Sequence, residues 1–323
     1  MDLDTRISLQ KLEVFVLVVE LGSVSRAAER LFVAQPVVTA HVRSLEERLG
    51  AKLLYRDGQR MQPTNAGKTV YAWAQDVLAR SRGMIRELQG LQEGTLGSVE
   101  VASSMTPGSY LLPPIIGRFQ LDHPGAELTL SVSNPEGALR DAESGAADLA
   151  VVMDDVELVR NTQLQCEQLG EEDMVLVTAP HAEPRKPSIP IAQLATLPLI
   201  CSPPGFARRE IEDRRLREHG VRSENVVMAL GHPEAMKRVA MQGIGATLLF
   251  RSAVSRELEE GRLREVAISD ARLRVPILLA YRRSRRFTPV QSELMDAIRR
   301  SLRPSAGAAG FAGARFDARD VDS

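Results

Sequence analysis

Residues 12–67 read LEVFVLVVELGSVSRAAERLFVAQPVVTAHVRSLEERLGAKLLYRDGQRMQPTNAG, and the spacing of apolar residues in and beside this stretch decides the fold. Leu9, Leu12, Phe15, Val16 and Val19 recur at helical spacing until Gly22, which predicts a first amphipathic helix. A short helix follows over about 25–31, with Ala27, Ala28 and Leu31 turned inward and Ser23 or Ser25 available as cap. A third carries Val38, Val42, Leu45 and Leu49 on one stripe and stops at Gly50. Next, KLLYRDGQRMQPT sets two short apolar runs around Asp57-Gly58, a dipeptide suited to a hairpin turn. Three short helices followed by a hairpin form the winged helix-turn-helix pattern, in which the third helix enters the DNA major groove and the hairpin lies against the backbone.

With its inner stripe assigned to packing, the third helix has Gln35, Pro36, Thr39, Ala40, His41 and Arg43 left to face a duplex. Arg26, Arg30, Lys52, Arg56, Arg60 and Lys68 flank it and suit phosphate contacts that carry no sequence information. A helical interaction module with a solvated polar face has the same pattern. The formal charge of −1, from 41 Lys/Arg against 42 Asp/Glu, excludes a chain that is basic all over. Within residues 22–68, however, eight Lys/Arg stand against four Asp/Glu, so a basic reader is attached to a mildly acidic body.

From Thr64 a long helical pattern runs to about Leu91 through Val70, Trp73, Val77, Leu78, Ile85 and Leu88. Val70, Trp73, Val77, Leu78 and Ile85 exceed what a lone solvent-crossing helix needs, so a partner helix is expected to cover them, burial within the same chain being the other reading. GLQEGTLGS (90–98) reads as a hinge. Beyond it strands and helices alternate: VEVAS, ELTLSV and DLAVVM, then a connecting strand near 162–168, MVLVTA, PLIC, NVVMAL and ATLLF, and late in the chain VPILLAY and a helix over about 288–302. This alternation predicts a parallel sheet covered by helices. The Gly- and Ala-rich residues 304–323 are expected to be disordered.

Two cysteines, Cys166 and Cys201, are too few for a disulfide framework or a four-ligand zinc site; Cys201 reads as a buried inert thiol. No apolar run reaches the length of a membrane span and no leader precedes the first helix, so a cytoplasmic protein without membrane partners is expected. Neither nucleophile elbow, P-loop, dinucleotide fingerprint nor metal-ligand cluster is present, so no catalytic residue, cofactor or metal is assigned. RRSRRF at 282–287 reads as a solvated strand end or lobe surface, and His123 and His181 as surface residues.

Three strand-to-helix junctions end in a residue followed by proline: Thr106-Pro107, Asn134-Pro135 and His232-Pro233. Proline suits the first helical turn, and Thr or Asn before it makes a cap. Such junctions point backbone N–H groups at the carboxyl edge of a sheet, where open α/β sheets bind ligands and helix starts favour anions. Well-capped helices without a ligand fit the same residues.

The stretch quoted above resembles the DNA-binding region of LysR-type transcriptional regulators. The likeness rests on FVLVVELGSVSRAAERL, the QP that opens the third helix, LEERLGAKLLYR and TNAG, and extends more loosely over HPGAELTL, GAADLAVV and GIGATLL. It implies an α plus α/β protein: a winged helix-turn-helix (7–65), a dimerising linker helix (66–92) and a two-lobed effector domain like periplasmic binding proteins (98–303). Lobe I is expected over about 98–172 and 276–303, and lobe II over about 173–275. The implied partners are double-stranded DNA, a small metabolite effector, further copies in a homodimer or homotetramer, and RNA polymerase. Carried onto this chain, Ser103, Ser104 and Thr106 would wall the pocket from the first lobe with Asn134 near, and Ser202, Phe206 and His232 from the second, with Thr247 contributing. Hydroxyls and helix starts suit an anionic effector. TPGSYLLP is weakly similar to regulators of carbon-fixation and sulfur-metabolism genes, which names no effector. The chain departs from the family at Ala34, where Ser or Thr usually caps the third helix, at Thr39 in place of Ser, and at His41 in place of Gln or Arg. A solute-binding or enzymatic two-lobed protein carrying a helical interaction module is the alternative.

Overall fold

A computed structural model describes residues 7–58, 60–93, 97–155, 163–283 and 285–303. The centre of the proposed hinge (94–96) and the tail proposed as disordered (304–323) lie outside the described residues.

The N-terminal helices are α1 (Leu9–Leu21), α2 (Val24–Leu31) and α3 (Gln35–Leu49). Ser8 and Ser23 cap the first two, accepting from the amides of Lys11 and Arg26. Gly22 and Gly50 end α1 and α3 in the left-handed conformation, at φ 60° and 64°. Leu12, Phe15, Val18, Ala27, Val38, Leu45 and Leu53 close one core beneath them. The wing is the antiparallel pair β1 (Leu54–Asp57) and β2 (Arg60–Pro63). Glu46, buried on the inner side of α3, fastens it: one carboxylate oxygen accepts from the amides of Leu53 (2.9 Å) and Leu54 (3.3 Å), the other from Lys52 Nζ (2.7 Å). Thr64 then starts the linker helix α4 (Asn65–Glu93), its hydroxyl accepting from the Gly67 amide at 2.9 Å. Only glycine fits at 67, because a Cβ there would overlap the Leu53 carbonyl.

Lobe I is built on β3 (Gly97–Ser104), β4 (Ala126–Ser133) and β5 (Leu149–Met153), with β3 parallel to both others. A π-helical turn (Pro107–Leu111), α5 (Leu112–Asp122) and α6 (Pro135–Ser144) connect them. The chain then enters β6 (Leu164–Thr178), which pairs antiparallel with β12 (Leu273–Arg282) at ten positions. These two strands belong to both lobes. The sequence suggested two separate strands here, because GEED between them is polar; the structure has one strand of 15 residues. Arg274 of β12 holds the acidic run, bonding Asp173 at 3.0 Å and Glu171 at 3.4 Å, and a register shift opposite Leu169 absorbs the irregularity.

Lobe II adds β7 (Ser188–Ile189), β8 (Leu199–Cys201), α7 (Ala207–Glu218), β9 (Val226–Ala229), α8 (Pro233–Ala240), β10 (Thr247–Phe250), α9 (Arg251–Glu259) and β11 (Arg264–Ile268). β10 and β11 pair antiparallel with β6, and β8 runs parallel to β9. Neither α9 nor β11 was expected from the sequence; REVAI is too polar to stand out as a strand. The helix α10 (Pro289–Leu302) returns to lobe I behind a Thr288/Gln291 capping box. The result is an α plus α/β, two-lobed architecture.

Candidate nucleic-acid interface and effector cleft

On the outer face of α3, Gln35, Pro36, Thr39, Ala40 and Arg43 are exposed, and Arg26, Arg30, Arg56 and Arg60 stand exposed on α2 and the wing. His41 is half-buried, turned part-way toward the packed side. Ala34 occupies the cap position and makes no side-chain bond, as its methyl requires. Gln35 is positioned from α2, its Oε1 accepting from Ser25 Oγ at 3.2 Å. Thr39 donates its hydroxyl to the Gln35 carbonyl (3.1 Å), which leaves its oxygen lone pairs to accept from an outside donor. Arg43 pairs with Glu47 at 2.9 Å, both side chains mostly exposed, a pair of little worth that a phosphate can replace. Arg26 is turned onto the Leu21 carbonyl and Arg56 onto that of Gly58 (3.2 Å). All of these groups lie on α2, α3 or the wing, with Arg26 and Arg56 held by local bonds that cost little to exchange.

Along α4 the apolar residues divide. Leu78 lies in the N-terminal core of its own chain, with Val70 and Val77 partly packed against it, so Leu78 is withdrawn from any face offered to a second copy. Trp73, Met84, Ile85 and Leu88 are each about half exposed. The opposite side of α4 meets lobe I. Arg82 Nη1 donates to the Ser144 carbonyl (3.0 Å), Arg282 Nη1 lies 3.8 Å from Asp76, and Gly145 sits so close to Ala79 that a Cβ there would overlap the alanine methyl.

That contact corrects the reading of RRSRRF. Arg282 and the side chain of Arg285 are buried rather than solvated, while Arg283 and Arg286 are exposed as expected. Arg285 pairs with Asp148, whose other oxygen accepts from the Glu100 amide (3.0 Å) and Gln291 Nε2 (2.9 Å). Burial and the neighbouring Arg285 draw the Arg282 pKa down to about 10.

Where the lobes meet, the turn after β3 reaches α8 through Tyr110 and Glu234, and the residues after β5 reach α7 through Asp154 and Asp155; the polar groups expected between the lobes have divergent fates. Asn134 caps α6, accepting from the Gly137 amide at 2.7 Å, and His232 caps α8 through Nδ1, accepting from the Glu234 amide at 3.2 Å. Thr106 caps nothing: its backbone is helical, at φ −70° and ψ −51°, because the turn it enters is π-helical and begins earlier. Ser103 and Ser104 are buried and their hydroxyls tie β3 to β5. Ser103 Oγ donates to the Val151 carbonyl (2.9 Å), and Ser104 Oγ accepts from the Met153 amide (3.0 Å). Phe206 precedes α7 and its ring covers Gly231. Thr247 is fully enclosed at the amino end of β10, and its hydroxyl is buried without a hydrogen-bond partner among the described residues.

The sequence reading missed the charged groups buried where the lobes meet. In the first turn of α7, Arg208 Nε donates to the buried Ser202 Oγ (3.0 Å) and its Nη2 to the Leu248 carbonyl (2.8 Å). Its Nη1 is buried without a hydrogen-bond partner among the described residues, and Glu212 lies 3.7 Å from Nη2. Burial lowers the Arg208 pKa, with Glu212 opposing. A cation in the first turn of a helix opposes the helix dipole, and that is the sequence signal that could have found it. The lobes are also joined directly. Tyr110 OH donates to Glu234 (2.5 Å), while Lys237 bonds Glu234 (2.7 Å) and Glu257 (3.1 Å) and lies over the Tyr110 ring. Burial and then Glu234 push the Tyr110 hydroxyl pKa upward. After β5, Asp154 and Asp155 receive Arg214 at 2.5 and 2.7 Å, and Arg215 also pairs with Asp155.

The comparisons with known proteins agree with both halves. The family described as bacterial regulatory helix-turn-helix protein, lysR family, matches residues 9–68, and the LysR substrate binding domain matches residues 92–303. The uncharacterized HTH-type transcriptional regulator YeiE of Escherichia coli (strain K12) is 30% identical over 296 residues, 92% of this chain and 96% of that protein. The RuBisCO operon transcriptional regulator of Allochromatium vinosum is 29% identical over 293 residues, 90% and 95% of the two chains. Among solved structures, CbnR, a LysR family transcriptional regulator, superposes with TM-score 0.56 at 20% identity, covering 92% of this chain and all of that one. A full-length OxyR variant from Pseudomonas aeruginosa gives TM-score 0.61 at 22% identity, covering 92% and 95%. With its helix-turn-helix reader and its two-lobed substrate-binding domain both matched, the chain belongs to the LysR family of DNA-binding transcriptional regulators.

Proposed function

We propose that α3 reads the major groove through Gln35, Pro36, Thr39, Ala40 and Arg43, that Arg26, Arg30, Arg56 and Arg60 hold the phosphates, and that a small anion bound between the lobes adjusts this reading. The observation that carries the effector class is Arg208: a guanidinium fixed by Ser202 and the Leu248 carbonyl and paired at 3.7 Å with Glu212, with one nitrogen buried and lacking a hydrogen-bond partner among the described residues. Leaving such a group unmet costs about 1–3 kcal/mol, and a carboxylate, phosphate or sulfate group would meet it. Asn134 and His232, which cap helices at the same edge, add oriented amides. The protein acts in the cytoplasm as a homodimer or homotetramer through the exposed Trp73, Ile85 and Leu88 of α4, and it communicates with RNA polymerase. No helix among the described residues is long and apolar enough to cross a membrane. A solute-binding protein or an enzyme built on the same lobes would have no use for the N-terminal reader.

The experiment is footprinting on DNA flanking the protein's own gene, with and without a panel of short carboxylates, inorganic phosphate and sulfate. At least one anion should alter the wild-type footprint, and Arg208→Gln should abolish that change while keeping the footprint itself. A footprint indifferent to every anion, or an Arg208→Gln protein that still responds, would count against the cleft reading.

A further inference from the structure

The turn between α2 and α3 holds a residue that the fold alone does not explain. The last turn of α2 closes with the Phe32 amide donating to the Glu29 carbonyl (3.2 Å) and the Val33 amide to that of Ala28 (3.0 Å). This closure requires a left-handed residue after the helix, a place normally filled by glycine or asparagine. Phe32 takes it, at φ 55° and ψ 40°, and is the one non-glycine residue with positive φ among the described residues. Bulky L side chains are disfavoured there, because Cβ crowds the following carbonyl. No internal packing offsets the strain, since Phe32 is 95% exposed. A strained backbone bearing a fully solvated aromatic side chain points to a contact outside the protein.

Its surroundings identify that contact. Val33 and Val37 are also exposed, at 41% and 42%, and with exposed Pro36 they form an apolar patch at the start of α3. The same helix exposes Gln35, Thr39 and Arg43, and α2, which the turn follows, exposes Arg26 and Arg30. A duplex seated on α3 brings its major groove to this end of the helix, and a protein or lipid there would have to displace the DNA. In that groove only thymine presents a methyl group, and apolar side chains read it.

We propose that Phe32 is a specificity-determining residue for DNA, its ring packing on a thymine methyl beside the start of α3. This rests on α3 being the groove helix. The test begins with duplexes selected from a random pool by the wild-type protein, whose binding is then measured by fluorescence anisotropy for wild type and Phe32→Gly. Glycine accepts φ 55° without strain, so Phe32→Gly should melt no lower than wild type. It should bind the selected duplex about five- to tenfold more weakly and lose the preference for thymine at one position. Replacing that thymine by deoxyuridine, which removes only the methyl, should weaken wild type about fourfold, the worth of one buried methyl-sized group, and leave Phe32→Gly unchanged. Three results would overturn the proposal while sparing the groove helix: equal affinity of the two proteins, a uniform loss with no uridine-sensitive position that depends on Phe32, or a lowered melting point showing that the ring packs within the protein. Failure of the wild type to select any sequence would overturn the groove reading as well.

Discussion

Replacing Glu46 by alanine should detach the wing from the recognition helix, and the cost follows from the bonds its carboxylate makes. Oε1 takes the amides of Leu53 at 2.9 Å and Leu54 at 3.3 Å, both buried, and an alanine leaves them unmet. At about 1–2 kcal/mol for each unpaired amide, the loss is about 2–4 kcal/mol. Lys52, whose side chain is 79% exposed, adds no more than about 0.5 kcal/mol. Glutamine keeps an acceptor for the amides but gives up the charge, which roughly halves those bonds, so Glu46→Gln should cost about 1 kcal/mol.

Trp73, the single tryptophan, reports on this region because its neighbours Ala74 and Leu78 lie in the N-terminal core. In urea, followed by Trp73 fluorescence, the midpoint should fall by about 1 M for glutamine and about 2 M or more for alanine. Acidity supplies a second readout. Burial raises the Glu46 pKa, but Lys52 and the two amides outweigh it and leave it below 4.5. A carboxylate whose pKa falls on folding contributes its stabilisation above the unfolded value and loses it as pH drops through the folded one. Wild-type stability should therefore decline below pH 4.5 more steeply than that of Glu46→Gln. An alanine variant whose midpoint moves by less than about 0.3 M would refute the claim that this carboxylate holds the wing.

Arg43→Ala should weaken binding to the preferred operator about tenfold and relax the base preference at one position, measured by anisotropy against single-base operator variants; unchanged affinity and preference would remove Arg43 from the groove. Ile85→Asp, at an exposed position on α4, should raise the monomer fraction in sedimentation, and retention of the oligomer at micromolar concentration would exclude that face. Asp155→Arg should loosen the lobes, seen as faster hydrogen exchange in α7, and the added Arg215→Asp should restore protection; no recovery in the double variant would show that this pair does not join them.

The N-terminal reader was legible because its signals are local. Val38, Val42 and Leu45 are buried on one side of α3 as their spacing predicts, although Leu49, read onto the same stripe, is exposed, and Gly22 and Gly50 end helices through their own backbone freedom. Non-local partners hid the rest. Nothing near Gly170 shows that β6 continues through GEED, since Arg274 lies over a hundred residues away in sequence. Nothing near Arg285 shows that Asp148 will bury it. In the cleft, hydroxyls were visible as residue types, but whether they face a ligand or bond internally depends on register: Ser103 reaches Val151 only because β3 and β5 run side by side. Arg208 was passed over because charged residues are common on helix surfaces, and its burial appears only once β8 and β10 surround it.

The contacts of α4 decide which part of the molecule moves with the reader. Ala74 and Leu78 pack into the N-terminal core, while Ala79 meets Gly145, Arg82 meets Ser144 and Asp76 meets Arg282, all three in lobe I or at the end of β12 that lies within it. Reader, linker and lobe I are thus fastened by close van der Waals contact as well as by polar bonds. Moving lobe I alone would have to separate all of them. Lobe II is joined to lobe I by β6, β12 and the Tyr110 and Asp154/Asp155 contacts. A change in lobe angle costs least when lobe II swings about the two shared strands while the reader stays with lobe I. In an oligomer, what the neighbouring copies would feel from such a change is the displacement of lobe II.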